Sequence, residues 1–333
     1  MKICIFGAGA VGGHLAAKLA ASGHEVSVVA RGAHLQAMRE RGITLIHGDK
    51  VIAGRVRASD GTTTLGVQDF VFVTLKANLL AAFAEAAVPL LGKDTGVVFA
   101  QNGIPWWYGI GLSAKRPAPP DLSKLDPRGR LGNLLHENQI IGGVVYSANE
   151  VREPGVIVNH VPGNNMLVVG YADDRQSSKI EALRSLLGKA DLYSPPTSDI
   201  RQSVWAKLVQ NLSTAALCTL AGATVKEVRS DPGLGELSRR LGAEARAIAR
   251  AHGVDPQGAP QRPGGSQSAG AISHKPSMLQ DYERGRPMEL EAQLAAPLAF
   301  ARAADVPAPA LETVVTLVAF KAASKGLYSH AAD

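Results

Sequence analysis

The sequence predicts an α/β N-terminal domain on a doubly wound, mostly parallel sheet, followed by an all-helical C-terminal domain. Three observations carry this. Apolar, β-prone runs alternate with helix-forming runs through the first third of the chain. The first strand-to-helix junction is a glycine turn with G-x-G-x-x-G spacing. From Asp199 onward the strand pattern stops and apolar residues recur at helical spacing.

Residues 2–6 (KICIF) form the first strand and residues 14–21 a helix rich in helix formers. Between them lie Gly7, Ala8, Gly9, Ala10, Val11 and Gly12. The strand–turn–helix context makes this a Rossmann-type nucleotide turn. Gly7 permits the tight turn, Gly9 lets backbone N–H groups approach a pyrophosphate, and Gly12 lets the helix pack close to the strand. The positive helix end then faces the phosphates. The second strand, residues 25–30 (EVSVVA), ends at Arg31, with His34 close by. An NAD-specific protein carries an acid there for the ribose 2′-hydroxyl. A guanidinium instead suits a 2′-phosphate, so the predicted cofactor is NADPH/NADP. The plainer alternative is a solvated arginine after a strand.

Residues 69–75 (DFVFVTL) and 96–100 (GVVFA) are the next strands, with a helix expected over 79–91. Ligands of such sheets bind at the carboxyl ends of the strands. Four polar features fall there in turn: the glycine turn, Arg31, Lys76 and Asn102. Residues 104–138 break the rhythm with Trp106, Trp107 and Tyr108 and then four prolines. This insertion is either a lid or binding loop, or a cover for a domain seam or subunit contact. Strands at 140–146, 155–160 and 166–170 are expected to extend the sheet in antiparallel fashion. The expected division is a dinucleotide-binding domain over 1–197, insertion included, and a helical substrate domain over 198–333.

In the helical part Asp199 is a candidate N-cap for a helix over 200–220, with Val204, Leu208 and Leu212 on its apolar face. Lys207 and Asn211 lie four apart and project from one face, Lys207 as a site residue or simply as a surface lysine. A second helix is expected over 234–251. Residues 255–274, rich in Gly, Pro, Ser and Gln, are expected to be mobile. Pro276 suits the first turn of a new helix, with Ser277 at its positive end, able to hold a carboxylate or simply to cap the helix. Gly285 ends that helix. Pro287 is expected to begin another, with Glu289 in its first turn as a site residue or a complement to the helix dipole. The last helices are expected over 289–304 and 310–324.

Composition excludes several classes. A chain of 333 residues is long enough for two domains with a sizeable core. Its net charge of +6 is dispersed, without the basic stripe of a nucleic-acid binder. A positive surplus suits anionic cofactors and substrates. No apolar run is long enough to span a membrane. Lys2 and the apolar run after it resemble a leader peptide, but the strand and its nucleotide-spaced glycines account for both. The two cysteines, Cys4 and Cys218, form neither a metal-ligand spacing nor a disulfide framework, which fits a reducing cytoplasm.

The glycine turn, Arg31, Lys76-Ala77, Gln101-Asn102-Gly103-Ile104, Trp205-Ala206-Lys207-Leu208-Val209-Gln210-Asn211, Ser277-Met278-Leu279-Gln280-Asp281 and Glu289 together resemble the ketopantoate reductase (2-dehydropantoate 2-reductase) family. Order and approximate spacing match over nearly the whole chain. The resemblance implies NADPH-dependent reduction of the ketone of ketopantoate to the alcohol of pantoate, on the route to pantothenate. It implies Lys207 as proton donor and Glu289 as an acid that hydrogen-bonds the substrate near it. It gives Ser277 and Asn211 as substrate holders, and Asn102 and Lys76 as residues at the junction of cofactor and substrate. A small 2-keto acid is the expected partner, and a second copy of the chain the one macromolecular partner left open. The family carries a second Asn, followed by Pro, one turn after Asn211. Here residues 212–216 read Leu-Ser-Thr-Ala-Ala, so Ala215 replaces a polar contact. That departure and the long insertion keep open a reductase of a different 2-keto acid. From another class, a non-catalytic NADPH-binding sensor is the alternative, and the presence of Lys207, Glu289 and Asn102 speaks against it.

Overall fold

The computed structural model describes residues 1–261 and 275–329. Two compact units form. The first holds residues 1–101 and 129–200 with Pro260 and Gln261; the second holds 102–128, 201–259 and the described residues from 275 onward. Residues 102–128 thus group with the helical unit instead of the sheet, where the sequence-based division had placed them. From residue 262 the stretch expected to be mobile lies outside the described residues.

The first unit carries a seven-stranded sheet. Its strands are β1 (Lys2–Phe6), β2 (Glu25–Val29), β5 (Arg57–Ser59), β6 (Phe70–Val73), β7 (Gly96–Phe99), β8 (Ile140–Tyr146) and β11 (Met166–Tyr171), in the order β11-β8-β7-β6-β1-β2-β5. Every neighbouring pair is parallel except β11 with β8. The six parallel strands follow the doubly wound order 3-2-1-4-5-6, which puts the switch point between β1 and β6. Strands β1, β6 and β7 are almost wholly buried, as both-face burial of a parallel sheet requires.

A second, four-stranded sheet was not foreseen. It joins β3 (Ile43–His47), β4 (Lys50–Gly54), β9 (Asn149–Glu153) and β10 (Val156–Asn159) in the order β4-β3-β10-β9. Residues 155–160 therefore do not extend the main sheet, and residues 140–146 join it in parallel, not antiparallel; only β11 runs against its neighbour. The reason lies in helix α1 (Ala10–Ala21), which is buried along most of its length. One side packs on the main sheet through Gly12. The other meets the small sheet through Gly13, where an added Cβ would stand 2.7 Å from Ile157 and 3.2 Å from Ile43. A helix flanked on both sides needs a second layer, and β10 supplies it. The helix expected over 79–91 is also shorter: it holds as Leu80–Ala86 and gives way to a 3₁₀ turn, Val88–Leu90, at Pro89.

Helices α3 (Leu80–Ala86), α4 (Arg130–Leu134) and α5 (Ser178–Lys189) belong to the first unit, and the long helix α6 spans Ile200–Ala221, in the second unit from Arg201 onward. The amide of Ile200 donates to the Asp174 carboxylate at 3.0 Å, so a distant acid helps to cap its start. Shorter and longer helices follow at Val225–Ser230, Pro232–Ala251, Ser277–Glu283, Ala296–Ala303 and Pro309–Ala323. Pro276 occupies the N-cap, with Ser277 the first helical residue. Pro287 does not begin a helix. The chain remains irregular through Glu289, held where the Met288 amide donates to the Leu327 carbonyl, and a π-turn, Glu291–Ala295, leads into the next helix. No helix among the described residues is long and apolar enough to cross a membrane.

Candidate active site

The glycine turn is built from missing side chains. Gly7 has φ +103°, a left-handed value that favours glycine. A Cβ on Gly12 would lie 2.2 Å from the Gly7 carbonyl oxygen and 2.3 Å from the Thr74 hydroxyl, so no larger residue fits without backbone movement. Thr74 donates to that same Gly7 carbonyl at 2.5 Å and its amide to the Phe6 carbonyl at 3.0 Å, stitching β1 to β6 at the switch point. Around Gly9 the situation reverses: a Cβ there would meet nothing within 4 Å. Gly9 is the N-cap of α1, gives no side-chain cap, and is followed by no acid in the first turn. The amides of Ala10, Val11 and Gly12 therefore lack intrahelical acceptors. Donors at a helix start beside open space, with no competing carboxylate, fit a pyrophosphate.

Arg31 caps helix α2 (Gly32–Arg41) with extended backbone, and its side chain is exposed, with no partner among the described residues. It stands free at the carboxyl end of β2. His34 is committed elsewhere: its Nδ1 accepts from the Gly155 amide at 2.9 Å, and burial lowers its pKa, so it adds no fixed charge. Lys76 follows β6 and precedes a 3₁₀ turn, Ala77–Leu79, half-buried. Gln101 ends the first stretch of the first unit. Its amide donates to the carbonyls of Val73 at 2.6 Å and Leu75 at 3.2 Å, tying the ends of β6 and β7. Sequence reasoning placed Gln101 in a motif but missed this bond; a polar residue directly after a buried strand was the available signal.

In the second unit Asn102 is half-buried. Gly103 beside it has φ +88°, and a Cβ there would stand 2.4 Å from the Ala292 carbonyl oxygen. The Ile104 amide donates to that same carbonyl at 2.8 Å. The Asn102 segment is thus seated on the π-turn that follows Glu289. A π-turn frees carbonyls from the regular helical ladder, and such turns recur at functional sites. Glu289 is half-buried, and Gln293 reaches its carboxylate at 3.5 Å.

Lys207 and Asn211 share one half-buried face of α6. Burial of the Lys207 ammonium brings its pKa down from 10.5 to about 8. Ala215 is buried on the same helix. Ser277 is exposed. Trp106, Trp107 and Tyr108, left open as lid or cover, are buried. Tyr108 takes its place in the helical unit: its hydroxyl accepts from the Trp205 indole at 2.8 Å, and its ring meets Phe300 edge-on at 4.9 Å.

A nucleotide cradle at the switch point of a doubly wound sheet, joined in one chain to a helical unit bearing a desolvated lysine, defines an NADP-dependent oxidoreductase. Comparison with known proteins narrows that class. Residues 3–174 match the family described as Ketopantoate reductase PanE/ApbA, and residues 199–322 match its C-terminal family. A 2-dehydropantoate 2-reductase of Mesorhizobium japonicum is 41% identical over 331 residues, covering 99% of this chain and all of that protein. A crystal structure from Ralstonia solanacearum, described as a candidate ketopantoate reductase, superposes with a TM-score of 0.84 at 34% identity, covering 98% of this chain and 99% of that one. A ketopantoate reductase family structure from Ralstonia eutropha gives a TM-score of 0.77 at 26% identity, over 98% of this chain and 99% of that one. The chain belongs to the ketopantoate reductase family.

Proposed function

We propose that this chain reduces the ketone of 2-dehydropantoate (ketopantoate) to the alcohol of pantoate with NADPH, a step of pantothenate biosynthesis. The observation that carries the reading is Lys207, an ammonium poised near neutral pH on α6, in a chain whose other unit ends its first strand in an open glycine cradle.

The cofactor, when bound, supplies the hydride. The chain's own groups do the rest. The amides of Ala10, Val11 and Gly12 take the pyrophosphate, with Gly7, Ala8 and Gly9 shaping the turn, and Arg31 takes the 2′-phosphate. Lys76 serves the cofactor, and Asn102 serves cofactor and substrate. Reduction builds negative charge on the ketone oxygen. Lys207 stabilises that charge by hydrogen bonding and passes its proton to the oxygen, leaving a neutral amine. A pKa of about 8 matches this task, because the group is protonated at neutral pH yet gives up its proton readily. Glu289 hydrogen-bonds the substrate beside Lys207, Asn211 orients it from the next turn of α6, and Ser277 holds its carboxylate. Two buried, unpaired thiols, Cys4 and Cys218, support a cytoplasmic setting. A second copy of the chain is the macromolecular partner we propose, supported by the exposed Leu317 and Phe320 on the last helix.

The test is steady-state NADPH oxidation against a panel of 2-keto acids. Ketopantoate is expected to be turned over, with preference under about a hundredfold in kcat/KM over the analogue lacking its hydroxyl. Ala215 offers that hydroxyl only an apolar contact, whereas a site that hydrogen-bonds it would discriminate by ~10⁴–10⁵. A strong preference for ketopantoate would show that another group replaces the missing contact. Turnover of a different 2-keto acid but not ketopantoate would overturn the substrate assignment, and NADPH binding with no turnover at all would favour a sensor.

A further inference from the structure

Arg201 lies in the first turn of α6 and is fully buried. Its Nε and Nη2 donate to the Tyr108 carbonyl at 2.9 and 2.8 Å, and Nη2 also donates to the Ile110 carbonyl at 2.8 Å. The guanidinium sits over the rings of Tyr108, at 5.4 Å, and Trp107, at 5.8 Å. A buried arginine carries a large desolvation penalty, and here it is met by carbonyls and ring faces of one segment. One turn further along α6, the Trp205 indole donates to the Tyr108 hydroxyl at 2.8 Å. Phe300 receives both rings edge-on, Tyr108 at 4.9 Å and Trp205 at 5.5 Å.

Three segments of the second unit converge on this knot, and each carries one proposed site residue. Tyr108 lies six residues after Asn102, Arg201 six before Lys207, and Phe300 on the helix that continues the π-turn after Glu289. The Asn102 segment is fixed at its other end to Ala292 of that same π-turn. The segment is therefore held at two points, by Arg201 on α6 and by Ala292 beyond Glu289. We infer that Arg201 is a positioning residue: by clamping the 108–110 backbone to α6 it sets where Lys207 stands relative to Asn102 and Glu289. The inference rests on the assignment of those three residues to the reaction. A guanidinium is suited to the task because its rigid fork fixes direction as well as distance, which a lysine in the same place cannot do.

The experiment pairs Arg201→Lys, which keeps the charge and loses the fork, with Tyr108→Phe, which removes only the hydroxyl–indole bond. NADPH fluorescence titration counts binding-competent sites, and kcat per competent site is measured across pH. Because reorientation of a reacting group by about 1 Å can slow a reaction ~10²-fold, Arg201→Lys is expected to lower kcat per site by about tenfold to a hundredfold. Tyr108→Phe is expected to lower it by about threefold to tenfold. NADPH affinity should hold within twofold in both, and the alkaline limb of the kcat profile should move, since Lys207 changes surroundings. Wild-type kcat per site at every pH, with only thermal stability lost, would overturn the inference and leave Arg201 a fold staple. Should Arg201→Lys fail to yield competent sites, Arg201→Gln, which keeps one donor toward the 108–110 carbonyls, is read by the same measurements and decides. A wild-type chain that reduces no 2-keto acid would overturn the assigned reaction instead. The inference would then be read from the Lys207 titration followed by NMR of the labelled lysine. An identical titration in wild type and variant overturns it, and a displaced one supports it.

Discussion

The cradle after β1 and the knot around Tyr108 each fix a stretch of backbone, by opposite means. In the cradle the working surface is backbone, and its precision comes from atoms that are left out: no Cβ at Gly12 against Gly7 and Thr74, and none at Gly9 over open space. In the knot precision comes from atoms packed in: the buried Arg201 guanidinium, the Trp205 indole and the Phe300 ring close on the Tyr108 segment. The difference teaches where each region is vulnerable. The cradle fails by addition and the helical unit by deletion.

The largest effect expected from deletion is at Lys207. Lys207→Ala should retain fold and NADPH binding but lose ~10²–10⁴ of kcat, the usual share of general acid catalysis. Near-normal turnover would break the comparison, because the packed region would then hold nothing that reacts. The pH profile sharpens it. Burial lowers the Lys207 pKa from 10.5 to about 8, so the proton-donating form is full below that value and lost above it. The wild-type kcat for reduction should be level around neutral pH and fall about tenfold per unit well above pH 8. Between about 8 and 10.5 the unfolded chain keeps a proton that the folded chain has released, so this group alone makes stability rise with pH there.

Failure by addition is tested at Gly12. One methyl in Gly12→Ala meets backbone at 2.2 Å, and overpacking of this kind typically destabilises by ~1–3 kcal/mol. Calorimetry should show a lowered melting temperature, and NADPH binding should weaken by tenfold or more, with kcat at saturating cofactor much less affected. Gly9→Ala, where no atom lies within 4 Å, should leave the free protein's melting temperature unchanged and still weaken NADPH. Equal melting losses in the two variants would erase the distinction between a packed and an open glycine. The smallest effect expected is at Arg31, which stands free of the fold. Arg31→Ala should weaken NADPH by about tenfold, the value of one charge-assisted contact, and leave NADH nearly untouched. Equal losses for both cofactors would remove Arg31 from the 2′-phosphate.

The cradle was legible in the sequence because its determinants are local. The six residues of the turn, the strand before and the helix after lie within one stretch, and Arg31 follows one strand later. Helix α6 was legible for the same reason, through the spacing of Val204, Leu208 and Leu212. What could not be read depends on partners far along the chain. Strands β3 and β10 pair across more than a hundred residues, and β4 and β9 are short and largely exposed, so neither shows an alternation that marks it. Arg201 reads locally as a solvent-facing residue in a first turn, and nothing in its neighbourhood announces that Tyr108 will bury it. The Trp106–Tyr108 run was noticed, but an aromatic cluster beside prolines is compatible with a lid, a seam or a core. Glu289 was placed one turn too deep in a helix, because Pro287 favours a first turn, whereas the Leu327 carbonyl holds Met288 in irregular chain instead.

The small sheet over α1 also bears on the order in which the chain can mature during synthesis. The helix behind the glycine turn is covered on one side by β1 and β2, all made within the first 29 residues. Its other side meets β3 and β4 early, through Ile43 at Gly13 and Gly54 at Ala17 and Ala20, and is completed only by Ile157, which closes on Gly13 from a strand ending at Asn159. A nascent chain emerging from the ribosome would therefore carry the nucleotide turn for an interval with this flank of its helix covered by β3 and β4 alone. Pairing over such a sequence distance is slow, and exposed flanks of this kind are where chains associate wrongly. The turn that is easiest to recognise in the sequence thus sits on a helix whose packing is completed only when β10 has been made.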